Sequence, residues 1–324
     1  MKVFDFDWRD HAAAYRERGW VHVKHGATPE FLSTAQSVAR AARADSRVAG
    51  RGIRGAKDQQ LFEFPPEVDR DRELFDVLAP LCGLRRASMT LSERHIKAYD
   101  ADADPLPVAH KDRFSSQVSA GISLEVPPGS HLVLYPEDGV GENPFLDTWY
   151  LDSLEPAQRP ETSLAAASEV TIYDEPGDVV IFRGSAFWHL RRKSACAVNL
   201  YLKFNDFDCD PLGEDPTTAT RRAETLAVLN RGGEAEILAA VPRVARLFDS
   251  VVRQHRREGW PELLLATVWG QNPFPVSDDE FALLRRIDGQ ATVADLCTPK
   301  GEVLGSLRRL ALRGAIDLTT TRRA

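Results

Sequence analysis

Residues 108–113 read Val-Ala-His-Lys-Asp-Arg and follow a turn-rich stretch at 100–107. Side chains two apart on an extended segment lie on the same side, so His110 and Asp112 are expected to point the same way. An imidazole beside a carboxylate supplies two of the three protein ligands of a facial site for non-haem Fe(II). The pair alone is weak evidence, because the chain contains 8 His and 48 Asp and Glu residues. A third ligand is needed, and it should be a histidine from a distant strand.

The best candidate for the third ligand is His189, which lies far along the chain from His110. A Pro-Gly-Asp turn at 176–178 precedes the apolar run Val179–Phe182, and a second strand is expected to begin near the histidine. A barrel fold would bring the segments around His110 and His189 to the same open end. Three ligands on one face leave three metal positions for a co-substrate and O2. His131 is an alternative ligand.

The composition predicts a globular protein without a membrane span. The chain has 324 residues, 43% of them hydrophobic, which is enough for one large domain or two ordinary ones. It lacks a run of about 18 apolar residues, and its start is unlike a signal peptide. Four scattered cysteines lack zinc spacing and predict reduced thiols in a cytoplasmic protein. The net charge of −7 argues against nucleic-acid binding by the whole chain.

The stretch 1–212 predicts an α+β domain. Helices are expected over Trp8–Arg18, from Thr28, and over Glu67–Leu84. From Ala87 the pattern changes to short strands, which are expected at 88–91, 95–99, 118–126, 132–135, 169–173, 179–182 and 197–204. Strands at this spacing after helices favour a β-sandwich or barrel. The loop 47–57 and the long stretch 136–167, with Trp149 and Tyr150, are expected to line a substrate pocket.

The stretch 213–324 predicts a second, mainly helical domain. Helices are expected at 218–230, 234–255 and 261–269 from their apolar spacing. Ser277 begins a capping box before another helix, Thr292 caps a shorter one, and residues 315–319 predict a final strand. The alternative is a helical extension that covers the sheet or forms a homodimer.

The N-terminal part, up to about position 210, resembles the Fe(II)/2-oxoglutarate-dependent oxygenases of the phytanoyl-CoA hydroxylase-like branch. The resemblance is carried by Tyr-Arg-Glu-Arg-Gly-Trp-Val at 15–21, His110-x-Asp112, Pro-Gly-Ser-His at 128–131, and the unit from Gly177-Asp178 to His189. It implies a double-stranded β-helix of the jelly-roll or cupin type, iron ligands His110, Asp112 and His189, and 2-oxoglutarate as co-substrate. The carboxylate at the second ligand position argues for hydroxylation over halogenation.

One departure from the family concerns the cation for the distal carboxylate of 2-oxoglutarate. The family usually places an Arg about ten residues past the distal histidine, where this chain has Ala-Val-Asn-Leu at 197–200. Lys203, slightly farther past His189 on the same expected strand, is the preferred candidate, although a lysine lacks the bidentate fork of arginine. Arg191 and Arg192 are alternatives, and their position suggests a turn. Tyr99 is expected to add a hydrogen bond.

The C-terminal stretch 281–318 resembles two kinds of module. These are the winged-helix tail of Jumonji-type ribosomal oxygenases and the peptide-recognition domains related to the pyrroloquinoline quinone chaperone.

From the oxygenase resemblance of the N-terminal part, the leading functional hypothesis is a hydroxylase acting on a small-molecule or amino-acid-derived substrate of specialised metabolism. A peptide or protein hydroxylase that docks its substrate on the C-terminal module is the second hypothesis. A non-catalytic β-barrel binding protein or regulator is the third.

Overall fold

The computed structural model describes residues 1–44, 57–137, 141–145, 149–254, 262–297 and 302–319. The chain divides into two compact units, Met1–Phe207 and Asp208–Ala324, whereas the sequence placed the boundary after Leu212. None of the described helices is long and apolar enough to cross a membrane. The predicted pocket loop at 47–57 falls almost wholly outside the described residues.

The first unit begins with helices that confirm the sequence pattern. Helix α1 (Arg9–Arg18) ends at Gly19, whose left-handed φ of 76° turns the chain directly into strand β1 (Trp20–Val23). Helix α2 (Pro29–Ala44) begins after Thr28. The third predicted helix is shorter than 67–84, since a π-helical turn leads into α3 (Asp76–Cys82) and Gly83 ends it.

Most of the remaining first unit consists of strands, as predicted. Two short helices, α4 (Trp149–Ser153) and α5 (Pro160–Ser163), lie in the long stretch between Tyr135 and Val170. The strands are β2 (Lys57–Leu61), β3 (Thr90–Tyr99), β4 (Val118–Glu125), β5 (His131–Tyr135), β6 (Val170–Ile172), β7 (Val179–Phe182), β8 (Trp188–Arg192) and β9 (Val198–Asn205).

The strand order is that of a jelly roll. One antiparallel sheet runs β1-β7-β4-β9-β3-β2, and a second runs β6-β5-β8. An isolated bridge between His110 and His189 adds the segment around His110 beside β8. The pairs β3 with β9, the His110 segment with β8, β4 with β7, and β5 with β6 are therefore nested one inside the other. This nesting folds the chain into two facing sheets, and it is the jelly-roll arrangement predicted from the sequence.

The two faces of the larger sheet differ in chemistry. Its outer face packs against the N-terminal helices, where Leu200 and Phe204 of β9 meet Phe31 and Leu74 in one apolar cluster. Side chains alternate along a strand, so the intervening β9 residues face the second sheet. These are Asn199, Tyr201, Lys203 and Asn205, all of them buried. The space between the sheets is therefore lined with polar groups.

Strand β3 corrects one detail of the prediction. The segments 88–91 and 95–99 were expected as two strands, but one continuous strand runs over Thr90–Tyr99, Ser88 lies in a short 3-10 turn before it, and the register against β9 shifts between Leu91 and Glu93. A bulge of this kind absorbs an extra residue and re-aims the side chains after it. From Glu93 onward, alternate residues up to Tyr99 lie on the interior face.

The second unit contains more strand than predicted. Its elements are α6 (Pro216–Arg231), α7 (Glu234–Ala239), β10 (Val241–Val244), β11 (Phe248–Gln254), β12 (Leu263–Val268), β13 (Phe274–Val276), α8 (Asp278–Leu284), α9 (Val293–Leu296), α10 (Glu302–Leu312) and β14 (Ile316–Thr319). The predicted helices 234–255 and 261–269 are wrong over most of their lengths. Strand β12 buries alternate residues, which is the two-residue period of a strand.

The C-terminal elements form two small antiparallel sheets with helices packed on them. The sheets are β11-β12-β13 and β10-β14. The capping box of Ser277 is present, because Ser277 Oγ accepts from the Glu280 amide and Glu280 Oε2 accepts from the Ser277 amide. Thr292 caps α9 in the same way. A winged-helix identity for this unit stays a prediction.

Candidate metal centre

The two predicted histidine ligands lie side by side. His110 and His189 form a reciprocal pair of backbone hydrogen bonds, with N···O distances of 3.0 and 2.9 Å. The same backbone contact places the two imidazole rings next to each other, with their centroids 4.3 Å apart. A bridge between segments distant in sequence therefore brings together what the sequence could only suggest.

Asp112 completes the group. Its Oδ1 lies 4.0 Å from His110 Nε2, and its Oδ2 lies 3.8 Å from His189 Nε2. One ligand atom from each of the three residues lies within 4.8 Å of the others, and this is the one such group among the described residues. Two imidazoles and a carboxylate at this separation suit a divalent transition metal of the non-haem iron type.

Hydrogen bonds hold two of these ligands in a metal-binding orientation. His189 Nδ1 donates to the Phe187 carbonyl at 3.0 Å, which leaves Nε2 with its lone pair toward Asp112. The backbone of Asp112 is fixed by Gly184, whose carbonyl accepts from the Asp112 amide at 2.9 Å, and by Asn143, whose side chain donates to the Asp112 carbonyl. The ligands are therefore preorganised.

Gly184 is required by the close packing around the carboxylate. A Cβ at this position would lie 2.7 Å from Asp112 Oδ2 and closer still to Ser119 Oγ. Ser119 Oγ itself donates to Asp112 Oδ2 at 2.7 Å. The Asp112 carboxylate therefore occupies space that any other residue at 184 would take.

The protonation states suit metal binding near neutral pH. Burial alone would raise the pKa of Asp112, but the positive charge of Lys203, the largest opposing influence, holds this pKa well below its usual range. Burial lowers the pKa of His189, an effect that Asp112 opposes only in part. The carboxylate is thus ionised and the His189 imidazole neutral, as ligands must be.

Lys203, the predicted anchor for 2-oxoglutarate, lies in the site but contacts a metal ligand. Its Nζ donates to Asp112 Oδ1 at 2.6 Å and lies 3.2 Å from Glu93 Oε2. All three side chains are buried. Burial would lower the pKa of Lys203, but Asp112 and then Glu93 raise it, so the ammonium stays charged. Two carboxylates therefore already contact the ammonium of this lysine.

Arg191, the alternative anchor, lies in strand β8 and not in the turn suggested by the sequence. The strand forms because residues 188–192 pair with 131–135 along β5. The guanidinium grips Asp174 through two bonds of 3.1 and 2.6 Å and donates to Ser130 Oγ. Burial would lower the pKa of Arg191, but Tyr201 and Asp174 raise it. The fork of this arginine is therefore occupied by a carboxylate of the chain itself.

A cavity opens beside the metal ligands. Its lining residues are Lys97, Tyr99, His110, Asp112, Leu132, His189, Leu190, Arg191, Tyr201 and Lys203. Tyr99 is present, as predicted. Lys97 and Tyr201 were not among the site residues predicted from the sequence, although the two-residue period that places Tyr99 and Lys203 inside also places them there. Burial raises the pKa values of both tyrosines, so their hydroxyls stay protonated.

Lys97 and Tyr201 lie together in this cavity. The Tyr201 ring packs over Gly121, where a Cβ would meet the ring at 3.0 Å, and Lys97 Nζ lies 5.0 Å from the ring centroid. The charge of Lys97 also lowers the pKa values of Asp112 and His189. The Lys97 ammonium is therefore close enough to influence the protonation of these two predicted metal ligands.

Other residues singled out from the sequence lie apart from the metal group. His131 packs on Tyr173 and hydrogen-bonds the Gly129 carbonyl, and it is absent from the described group of ligands. Tyr150 stacks on Trp188, and Trp188 and His189 point to opposite faces of β8. The side chain of Trp149 lies outside the described residues.

No protein-family model matches this chain, and no curated protein matches it. Solved structures do. The epimerase SnoN from nogalamycin biosynthesis, in complex with Fe3+, α-ketoglutarate and nogalamycin RO, matches with 16% identity and a TM-score of 0.46 over 61% of this chain and 83% of that one. A Pseudomonas putida prolyl-4-hydroxylase matches with 16% identity and 0.41 over 61% and 98%. EctD from S. alaskensis, with 2-oxoglutarate and 5-hydroxyectoine, matches with 15% identity and 0.42 over 60% and 75%. These likenesses are distant, so the function is argued from the ligands of this chain.

Proposed function

We propose that the protein is a non-haem Fe(II)- and 2-oxoglutarate-dependent dioxygenase that hydroxylates a C–H bond. The observation that carries the proposal is the convergence of His110, Asp112 and His189 within 4.8 Å at the edge of a cavity. Three ligands on one face leave further metal positions toward that cavity. The proposed substrate is a small molecule or an amino-acid derivative of specialised metabolism.

The cavity chemistry suits a small dicarboxylic co-substrate. Bound iron and 2-oxoglutarate would supply O2 activation, whereas the chain supplies binding, orientation and exclusion of water. The cavity contributes cationic groups and protonated phenols, which complement carboxylates. An anionic oxo acid would therefore bind between the metal and the electropositive wall of the cavity.

Lys97 is the proposed partner of the distal carboxylate, with Tyr99 and Tyr201 as hydrogen-bond donors. Lys203 and Arg191 are the further cations of the cavity wall, and they also donate to Asp112 and Asp174. Lys97 lines the same cavity, and its charge reaches the metal ligands. As a point charge it would neutralise the carboxylate without the geometric specificity of an arginine.

The test is an anaerobic titration of the full chain with Fe(II) and 2-oxoglutarate. We expect the charge-transfer absorption of a chelated 2-oxo acid, followed by O2-dependent formation of succinate. His110→Ala should abolish both signals, and exposed Lys24→Met should leave both unchanged. Absence of the absorption in the unaltered chain would defeat the proposal and favour a metal-free binding protein.

A peptide or protein substrate is the second candidate, favoured by one observation in the second unit. Strand β11 pairs only with β12 among the described strands, and an extended peptide can add to such an edge. Val252 on β11 is 49% exposed. Val252→Lys should then weaken turnover of long peptides and spare short substrates. Equal turnover of both lengths would remove this candidate.

A further inference from the structure

A chain of alternating charges, buried except for the partly exposed Arg113, runs away from the metal ligands. Arg113 Nε lies 2.9 Å from Glu93 Oε1, Glu93 Oε2 lies 3.2 Å from Lys203 Nζ, and Lys203 donates to Asp112 Oδ1 at 2.6 Å. Glu93 is 2% exposed and Lys203 4%. Buried charges are costly unless they are paired, so a run of them beside a metal ligand calls for an explanation.

The backbone register places these groups independently of their side-chain conformations. Glu93 on β3 and Ser119 on β4 are the direct partners of Lys203, one on each side of β9. Arg113 follows Asp112 in the chain. Asp112 therefore receives one donor from β9 through Lys203 and another from β4 through Ser119, one to each oxygen. Strands β9 and β4 thus contact this carboxylate directly, and β3 reaches it through Lys203.

We propose that Lys203 and Glu93 form a charge-neutral positioning pair for the metal-ligating carboxylate of Asp112. Glu93 holds the ammonium in place, and the ammonium fixes Oδ1 so that the carboxylate stays turned toward the two histidines. This inference rests on the proposed metal site. It gives Lys203 a role different from that of an anchor for the co-substrate.

Neutrality explains why the lysine has a glutamate partner. An isolated ammonium next to a ligand would repel a divalent cation, since like charges a few ångströms apart in a buried site interact strongly. Glu93 cancels that charge while leaving the hydrogen bond to Asp112 intact. Arg113 and Ser116, which contact Glu93 Oε1, keep the glutamate from rotating away.

The test replaces the pair as a whole. Lys203→Met alone would leave Glu93 and Asp112 without their buried counter-charge and endanger folding. The double variant Lys203→Met/Glu93→Gln removes one positive and one negative charge, so the net charge near the metal is unchanged. A change in metal affinity then reports the loss of the Lys203 contact at Asp112 and not a change in net charge, and the spectrum of the bound metal reports whether the carboxylate has turned.

The measurement is Co(II) binding by calorimetry, together with the ligand-field absorption of bound Co(II), on the full chain. We expect about 10–100-fold weaker binding in the double variant and an altered spectrum, the usual effect of removing a partner of a metal ligand. Lys24→Met, an exposed lysine of the same unit, is the matched control and should bind as the unaltered chain does.

A second variant covers the case in which the double variant does not fold. Lys203→Arg keeps the charge and changes only the shape of the donor, so a positioning role predicts a shifted Co(II) spectrum. An unchanged spectrum and affinity in whichever variant folds would overturn the positioning role but leave the metal site standing. Absence of Co(II) binding in the unaltered chain would overturn the metal site and this inference with it.

Discussion

The two faces of strand β9 are equally buried but are held by different forces. The outward residues Leu200, Leu202 and Phe204 are 0% exposed and pack in the apolar cluster under the N-terminal helices. The inward residues Tyr201 and Lys203 are 9% and 4% exposed and line the cavity beside the metal ligands. The first face is stabilised by burial of apolar area, and the second depends on paired charges.

This difference separates stability from function along a single strand. An apolar face tolerates exchange among hydrophobic residues of similar volume. A face of paired charges does not, because each substitution leaves a buried partner uncompensated. The interior face therefore carries buried charged groups at a cost in stability, and these groups can bind a metal and an anion.

The largest expected effect follows from breaking the Arg191–Asp174 pair inside the jelly roll. Both side chains are buried, at 3% and 0% exposure, so Arg191→Ala leaves an uncompensated carboxylate. We expect a loss of about 3–5 kcal/mol in the free energy of unfolding, measured by urea denaturation. Arg191→Leu/Asp174→Leu should recover most of it. A loss under about 1 kcal/mol for the single variant would mean that interior pairs do not hold this face.

Gly184→Ala tests the interior face at the metal ligand itself. Its Cβ would collide with the Asp112 carboxylate and with Ser119 Oγ, so the carboxylate must shift. We expect Co(II) affinity to fall by about 10–100-fold, as for other changes that disturb a ligand's support. Gly305→Ala is the control, because a Cβ there meets nothing within 4 Å. Equal affinity in both variants would argue against Asp112 as a ligand.

Lys97→Met tests the proposed seat of the co-substrate. Removing one point charge from a cavity that keeps its phenols should weaken 2-oxoglutarate binding by about tenfold, in the range of one charge-assisted hydrogen bond. Titration of 2-oxoglutarate against the Fe(II)-loaded protein measures this. Lys203→Met/Glu93→Gln, compared after saturation with metal, should affect 2-oxoglutarate less. The opposite order would return the anchor role to Lys203, as the sequence first suggested.

The group His110, Asp112 and His189 could be predicted because part of its signal is local. The spacing of His110 and Asp112 and the turn before Val179 are written in short stretches of sequence. The partners of those ligands depend on strand register, which local sequence does not contain. Glu93 reaches Lys203 only because a bulge in β3 re-aims it and β3 pairs with β9 in one particular register. The sequence placed Lys203 on the correct face but could not identify its partner.

The prediction for the second unit was wrong for a related reason. The segments 248–254 and 263–268 carry apolar residues at spacings that fit a helix as well as a strand. Pairing between β11 and β12, and between β10 and the distant β14, decides in favour of strands. Such contacts override weak local preference. Helix α8 was predicted correctly because its capping box is complete between Ser277 and Glu280.

The smallest expected effect provides the control for the whole comparison. Arg192 follows Arg191 on β8 and pairs with Glu169 at 2.8 Å, but these side chains are 28% and 39% exposed. The charge pair is the same in kind, and only its burial differs. Arg192→Ala should therefore cost less than about 1 kcal/mol in the same urea experiment, and the loss should shrink with added salt. Because water can solvate Glu169 once its partner is gone, no uncompensated buried charge remains. If Arg192→Ala costs as much as Arg191→Ala, burial is not what separates the two faces, and the special role given to the interior charges of this jelly roll falls with it.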